Sequence, residues 1–123
     1  MMLGTVTVDR EIVVSLEIIL SSEPPTVLEV VVDTGFNGYL TLPSKVLRSL
    51  GGVSVGTRRA ELGDGQFVDL EVYLVTVNWR GREREVLALH AESTPLMGMS
   101  LLWGSRVTFD AQSNGVVTID SIP

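Results

Sequence analysis

Three valines run into an aspartate, a threonine and a glycine at Val30-Val31-Val32-Asp33-Thr34-Gly35. No other stretch constrains the chain as tightly. Consecutive β-branched residues without polar alternation suit a strand buried on both faces. That strand delivers a carboxylate to the turn at its end, which is costly unless the carboxylate is paired or used. Gly35 lets the backbone turn sharply, so that amides can approach the carboxylate with no side chain in the way, and Thr34 adds a hydroxyl that can donate and accept. The same residues also make an ordinary strand-ending turn, so the rest of the chain has to decide.

Elsewhere Val, Ile, Leu and Thr alternate with polar residues, the period of half-buried strands. Val6 and Val8 alternate, Asp9-Arg10 offers a turn, and Ile12, Val14, Leu16, Ile18 and Leu20 alternate again. Ser21 to Pro25 reads as a loop, because consecutive prolines cannot join a ladder. Thr41 to Gly51 is the best helix candidate. It has Pro43 in the first turn, Leu42, Val46, Leu47 and Leu50 on one face, and Gly51 as a C′ stop. From Thr57 to Val77 two strands flank a glycine-rich tip, Gly63-Asp64-Gly65. Asn78 to Gly81 is a further turn, and a strand follows from Arg84 to Ala91. Leu96-Met97-Gly98 is an apolar strand that stops at a glycine and opens a short helix. Val107–Phe109 and Val116–Ile119 close the chain around Asn114-Gly115, a hairpin pair. Trp79 reads as a hairpin-surface aromatic and Trp103 as a helix-end core contact. Arg80, Arg82 and Arg84, interleaved with Glu83 and Glu85, read as a solvated strand face. The expected architecture is mostly β, a small closed or strongly bent barrel with one or two short helices.

The 123 residues suit one domain, and 45% hydrophobic against 20% charged content argues a folded globule. A net charge of −6 excludes the basic face that nucleic acid needs. There is no cysteine, and the one histidine, His90, makes a catalytic triad or a histidine-rich metal site improbable. The N-terminus lacks the pattern of a secretory signal, and no apolar run approaches the roughly 20 residues of a membrane helix. A cytoplasmic protein with no cofactor, metal, membrane or nucleic-acid partner is expected.

The order of these features resembles the retroviral-type (retropepsin-like) aspartic protease family, and most of all its small stand-alone prokaryotic members. Val31 to Pro43 carries most of the resemblance, with Leu62-Gly63-Asp64-Gly65 and Leu96-Met97-Gly98 adding to it. Retroviral members usually place Ala or Ser after the glycine of Asp-Thr-Gly, where this chain has Phe36. The resemblance implies that Asp33, Thr34 and Gly35 form the catalytic turn. It also implies a substrate-covering flap at Gly63, Asp64 and Gly65, and close backbone approach at Gly98 beneath the catalytic loop.

Peptide hydrolysis by carboxylates needs two of them, one ionised to activate water and one protonated to polarise the carbonyl. A close pair shares one proton because both cannot readily ionise. With one Asp-Thr-Gly the chain holds half a site, and two-fold symmetry would supply the other Asp33. A homodimeric endopeptidase acting on peptide or protein is the leading expectation. The alternative is a catalytically idle domain that dimerises or holds an extended peptide.

Overall fold

The computed structural model describes residues 1–19, 24–61 and 63–123. Leu20, the Ser21–Glu23 part of the expected loop, and Leu62 of the flap motif lie outside the described residues. Ten strands and two short helices follow in order: β1 (Met2–Val6), β2 (Ile12–Ile19), β3 (Thr26–Val32), β4 (Leu40–Leu42), α1 (Ser44–Ser49), β5 (Ser54–Glu61), β6 (Phe67–Trp79), β7 (Arg82–His90), β8 (Leu96–Met97), α2 (Met99–Leu102), β9 (Ser105–Phe109) and β10 (Val116–Ser121).

All ten strands belong to one sheet, in the order β5-β6-β7-β4-β8-β3-β2-β1-β10-β9. An added pairing of β2 with β6, Glu17 opposite Asn78 through Ile19 opposite Thr76, closes six of them into a ring. The strand alternation explains what fills it. Val14, Leu16 and Ile18 of β2 and Val75 and Val77 of β6 turn inward and are buried, while Ser15 and Leu74 face out. Leu40, Leu42, Val86, Ala88, Met97 and Leu101 complete the packing. Burying a side chain of this size stabilises by about 1.5–3 kcal/mol.

Two pairings are parallel, β3 with β8 and β4 with β7, whereas β4 runs antiparallel to β8. The valine run therefore lies between β2 and β8. Val30 and Val31, successive residues facing opposite sides, are both buried.

The helix read from Thr41 is shorter than expected. Thr41 and Leu42 are strand, in a parallel ladder with Leu89 and His90. Pro43 is the extended residue before α1 rather than its first turn. At the other end Gly51, with φ +62°, donates to Arg48 O and Gly52 donates to Leu47 O, a glycine stop of the Schellman type. The root of α1 is tied to the end of β7. Glu92 accepts the Ser44 amide at 2.8 Å and pairs with His90, and these hydrogen bonds, Ser44 first, hold its carboxyl at about 2.

The tryptophans reverse the expectation. Trp79 is buried on the ring's inner face, and Trp103 is 77% exposed. Asn114-Gly115 ends a longer connection instead of forming a two-residue turn, since Phe109 already pairs with Val117. No helix among the described residues is long and apolar enough to cross a membrane.

Candidate active site

Asp33 is the first residue beyond β3, and its amide still donates to Met97 O at 2.9 Å. The chain turns there. Asp33 O accepts the Phe36 amide at 3.2 Å, and Asp33 Oδ1 accepts the Gly35 amide at 2.9 Å. The half-buried carboxylate is thus oriented by its own turn. Gly35 serves by its small size rather than by a left-handed backbone, for a Cβ there would lie 3.2 Å from Asp33 Oδ1. Thr34 is exposed at the apex.

The next residues dock onto the junction of β8 and α2. Met99 donates to Phe36 O at 2.8 Å, Gly98 to Tyr39 O at 3.0 Å, and Ser100 to Gly38 O at 3.1 Å. The Ser100 hydroxyl caps Asn37 O. The approach is so close that a Cβ on Gly98 would lie 2.3 Å from Gly38 O and 2.7 Å from Phe36 O. The Phe36 ring covers the same junction: a Cβ on Gly38 would sit 2.5 Å from it, and one on Gly98 2.6 Å. Phe36 therefore acts as a packing block over two glycines. Sequence reasoning singled out Gly98 but missed its partners Gly38 and Ser100. The signal was present as a Phe-x-Gly spacing after Asp-Thr-Gly, in a chain that returns with another glycine at the end of an apolar strand.

Gly63, Asp64 and Gly65 lie at the tip of the β5–β6 hairpin, apart from this cluster. Asp64 Oδ1 accepts the Gln66 amide at 3.0 Å, Gly65 has φ +84°, and a Cβ on either glycine would meet nothing within 4 Å. Cross-strand pairs Ala60–Val68 and Gly56–Val72 place Ala60, Val68, Leu70 and Val72 on one face of the hairpin. Arg59, Asp69, Glu71 and Phe67 occupy the other, where Arg59 lies over the Phe67 ring. Arg58, opposite Leu70, shares the first face, so each side of the hairpin mixes apolar and charged residues. Among the described residues no group of three or more His, Asp or Glu is placed to hold a metal ion.

No protein-family model matches the chain, and no curated protein sequence matches it significantly. Solved structures do. A retropepsin-like aspartic protease from Rickettsia conorii superposes with a TM-score of 0.60 at 16% identity, over 98% of this chain and 90% of that one. A foamy viral protease-reverse transcriptase, solved with an RNA/DNA hybrid, superposes with a TM-score of 0.52 at 16% identity. That match takes in 73% of this chain but only 11% of the viral one. An Asp-Thr-Gly turn hung between a parallel strand pair and a glycine-packed helix, in a chain that superposes almost end to end on such a protein, gives this protein the retropepsin-like aspartic protease fold.

Proposed function

We propose that the protein is an aspartic endopeptidase that acts as a homodimer, each chain being one retropepsin-like domain with half of the active site. The observation that carries this reading is the Asp33 turn, a carboxylate oriented by its own Gly35 amide at the end of a doubly buried strand. In the dimer the two Asp33 carboxylates face each other across the axis and share a proton. The ionised one takes a proton from a water molecule held between them, and that water attacks the peptide carbonyl. The protonated one donates to the carbonyl oxygen as the tetrahedral intermediate forms. Thr34 buttresses the paired turns, and the Gly63–Gly65 tips close over an extended substrate whose backbone pairs in strand fashion. The exposed Leu3 and Val116, on one face of the β1–β10 ladder, suit burial between subunits at the terminal strands.

Asp33→Asn tests the reading. It keeps the shape of the side chain, removes the base from both subunits, and relieves the repulsion between like charges. Peptide cleavage should disappear while the melting temperature stays equal or rises. Substantial cleavage by the variant would show that Asp33 is not the catalyst. Loss of activity through unfolding would show that Asp33 is a structural turn residue. Activity should favour mildly acidic pH, survive chelators, and respond to statine-type mimics of the tetrahedral intermediate. Sedimentation should show a dimer wherever the protein cleaves.

A further inference from the structure

The β6–β7 hairpin ends in a two-residue turn, Arg80-Gly81, with φ of +54° and +85°. Asn or Gly is the usual first residue of such a turn, so local chemistry does not account for an arginine there. The paired residues at its mouth are Trp79 and Arg82, followed by Val77 and Arg84. Strand alternation gathers Arg82 and Arg84 on the side of Trp79 and sends Glu85 to the opposite face, whereas Glu83, next to the turn, lines the same hollow as the arginines. The expected solvated strand face is thus a sorted one. Its basic side opens on a hollow of about 540 Å³ whose lining includes Trp79, Arg80, Arg82 and Arg84, with Glu83 and Asp120 as its acidic groups.

Two donors in this lining lack an acceptor. Trp79 is only 5% exposed, and its indole Nε1 has no hydrogen-bond partner. Arg80 stacks on the Trp79 ring at 5.7 Å with one terminal guanidinium nitrogen buried and unpartnered. Stacking offsets only part of the cost of withdrawing a guanidinium nitrogen from water without an acceptor. Arg84 is half-buried over the Tyr39 ring at 5.5 Å. Among the described residues the ion pairs are Arg59–Asp69 and His90–Glu92, and none includes these three arginines. A third of the chain's nine basic residues, in a protein of net charge −6, therefore converge on one hollow with donors to spare.

We propose that this hollow binds a small molecule bearing an oxyanion, a phosphate or a carboxylate. Arg82 and Arg84 would supply forked charge-assisted hydrogen bonds, with the charge of the Arg80 guanidinium beside them. Three guanidinium groups against two carboxylates leave the site net positive, which suits an anion. The volume lies within the range of small-molecule sites. The proposal concerns binding outside the Asp33 turn and stands whether or not the protein cleaves peptides.

Calorimetric titration of the whole chain with inorganic phosphate, and separately with citrate, tests it, at an ionic strength held constant with sodium chloride. One saturable site per chain is expected with at least one of the two. Phosphate alone would mark a phosphate-bearing ligand, and citrate alone a carboxylate-bearing one. Arg82→Gln and Arg84→Gln should each weaken binding about tenfold. Arg58→Gln on the β5–β6 hairpin should change nothing. Arg82 is exposed, so its variant should melt like the parent, and a melting curve beside each titration confirms that the protein tested is folded. No saturable heat with either anion would overturn the proposal. Equal affinity in the Arg82→Gln/Arg84→Gln double variant would also overturn it, as would a loss in Arg58→Gln as large as in Arg82→Gln.

Discussion

The Asp33 turn and the tip of the β5–β6 hairpin use the same local device. In each, an aspartate Oδ1 accepts the amide two residues on, Gly35 at 2.9 Å for Asp33 and Gln66 at 3.0 Å for Asp64. What differs is the surroundings. Residues 36–39 are held by three backbone hydrogen bonds from Gly98, Met99 and Ser100, and their glycines leave no room for one more carbon. At the tip, Gly63 and Gly65 have open space around them. The turn motif fixes a local shape, and distant segments decide whether that shape is held still. The Asp33 turn is held from across the chain, while the Gly63–Gly65 tip has open space beside its glycines.

The contrast breaks most visibly at Gly98. Gly98→Ala drives a Cβ into Gly38 O and the Phe36 ring, and should cost about 3 kcal/mol of stability or prevent folding. Denaturant unfolding measures it, and a loss under 1 kcal/mol would mean that the junction can relax and is not a clamp. Phe36→Ala removes the ring and leaves the backbone hydrogen bonds in place. It should cost about 1–2 kcal/mol, less than a fully buried phenylalanine because the ring is only half-buried. Gly63→Ala supplies the comparison from the other side. With nothing to meet within 4 Å, it should change stability by no more than about 0.5 kcal/mol. A penalty comparable to that of Gly98→Ala would show the tip to be as tightly held as the turn.

The smallest effect is expected near the hairpin's root, where Glu92 joins α1 to the end of β7. Hydrogen bonds from Ser44 and then His90 lower its pKa from 4.5 to about 2. A lowered carboxylate pKa stabilises the folded state fully above the unfolded value and loses that contribution as pH falls through the folded value. The melting-temperature difference between parent and Glu92→Gln should therefore be constant above about pH 4.5 and shrink toward pH 2. A difference that grows toward low pH would remove Glu92 from this role.

Much of this fold can be read locally. Alternation located β2 of the ring and the hairpin pattern its long strands β6 and β7, and the valine run with Asp33, Thr34 and Gly35 marked a doubly buried strand and its turn. Parallel pairing was invisible, because two-residue β8 and three-residue β4 are defined by partners far away in the chain. For the same reason Thr41 and Leu42 passed for the start of a helix. The tryptophans failed for different causes. Trp79 shares the parity of the inward-facing Val75 and Val77, a cue outweighed by the Arg-Gly turn beside it. Trp103 follows a four-residue helix whose buried positions Leu101 and Leu102 already fill, so none remains for it. Of the candidate site, Asp33 and Gly98 were legible. That Phe36, Gly38 and Ser100 interlock there was not, because the contact joins segments some sixty residues apart.

The parallel pair that holds Asp33 has a consequence for timing during synthesis. The acceptor of the Asp33 amide is Met97 O, more than half the chain downstream, and β1 completes its ladder only with β10. Synthesis proceeds at about 5–20 residues per second, so a nascent chain carries Asp33 for several seconds before its anchor exists. Pairings this distant in sequence also form slowly once the chain is released. Until residue 97 is in place the Asp33 turn keeps its local shape but has no anchor, and the direction of its carboxylate within the fold is set only once that later segment has been made.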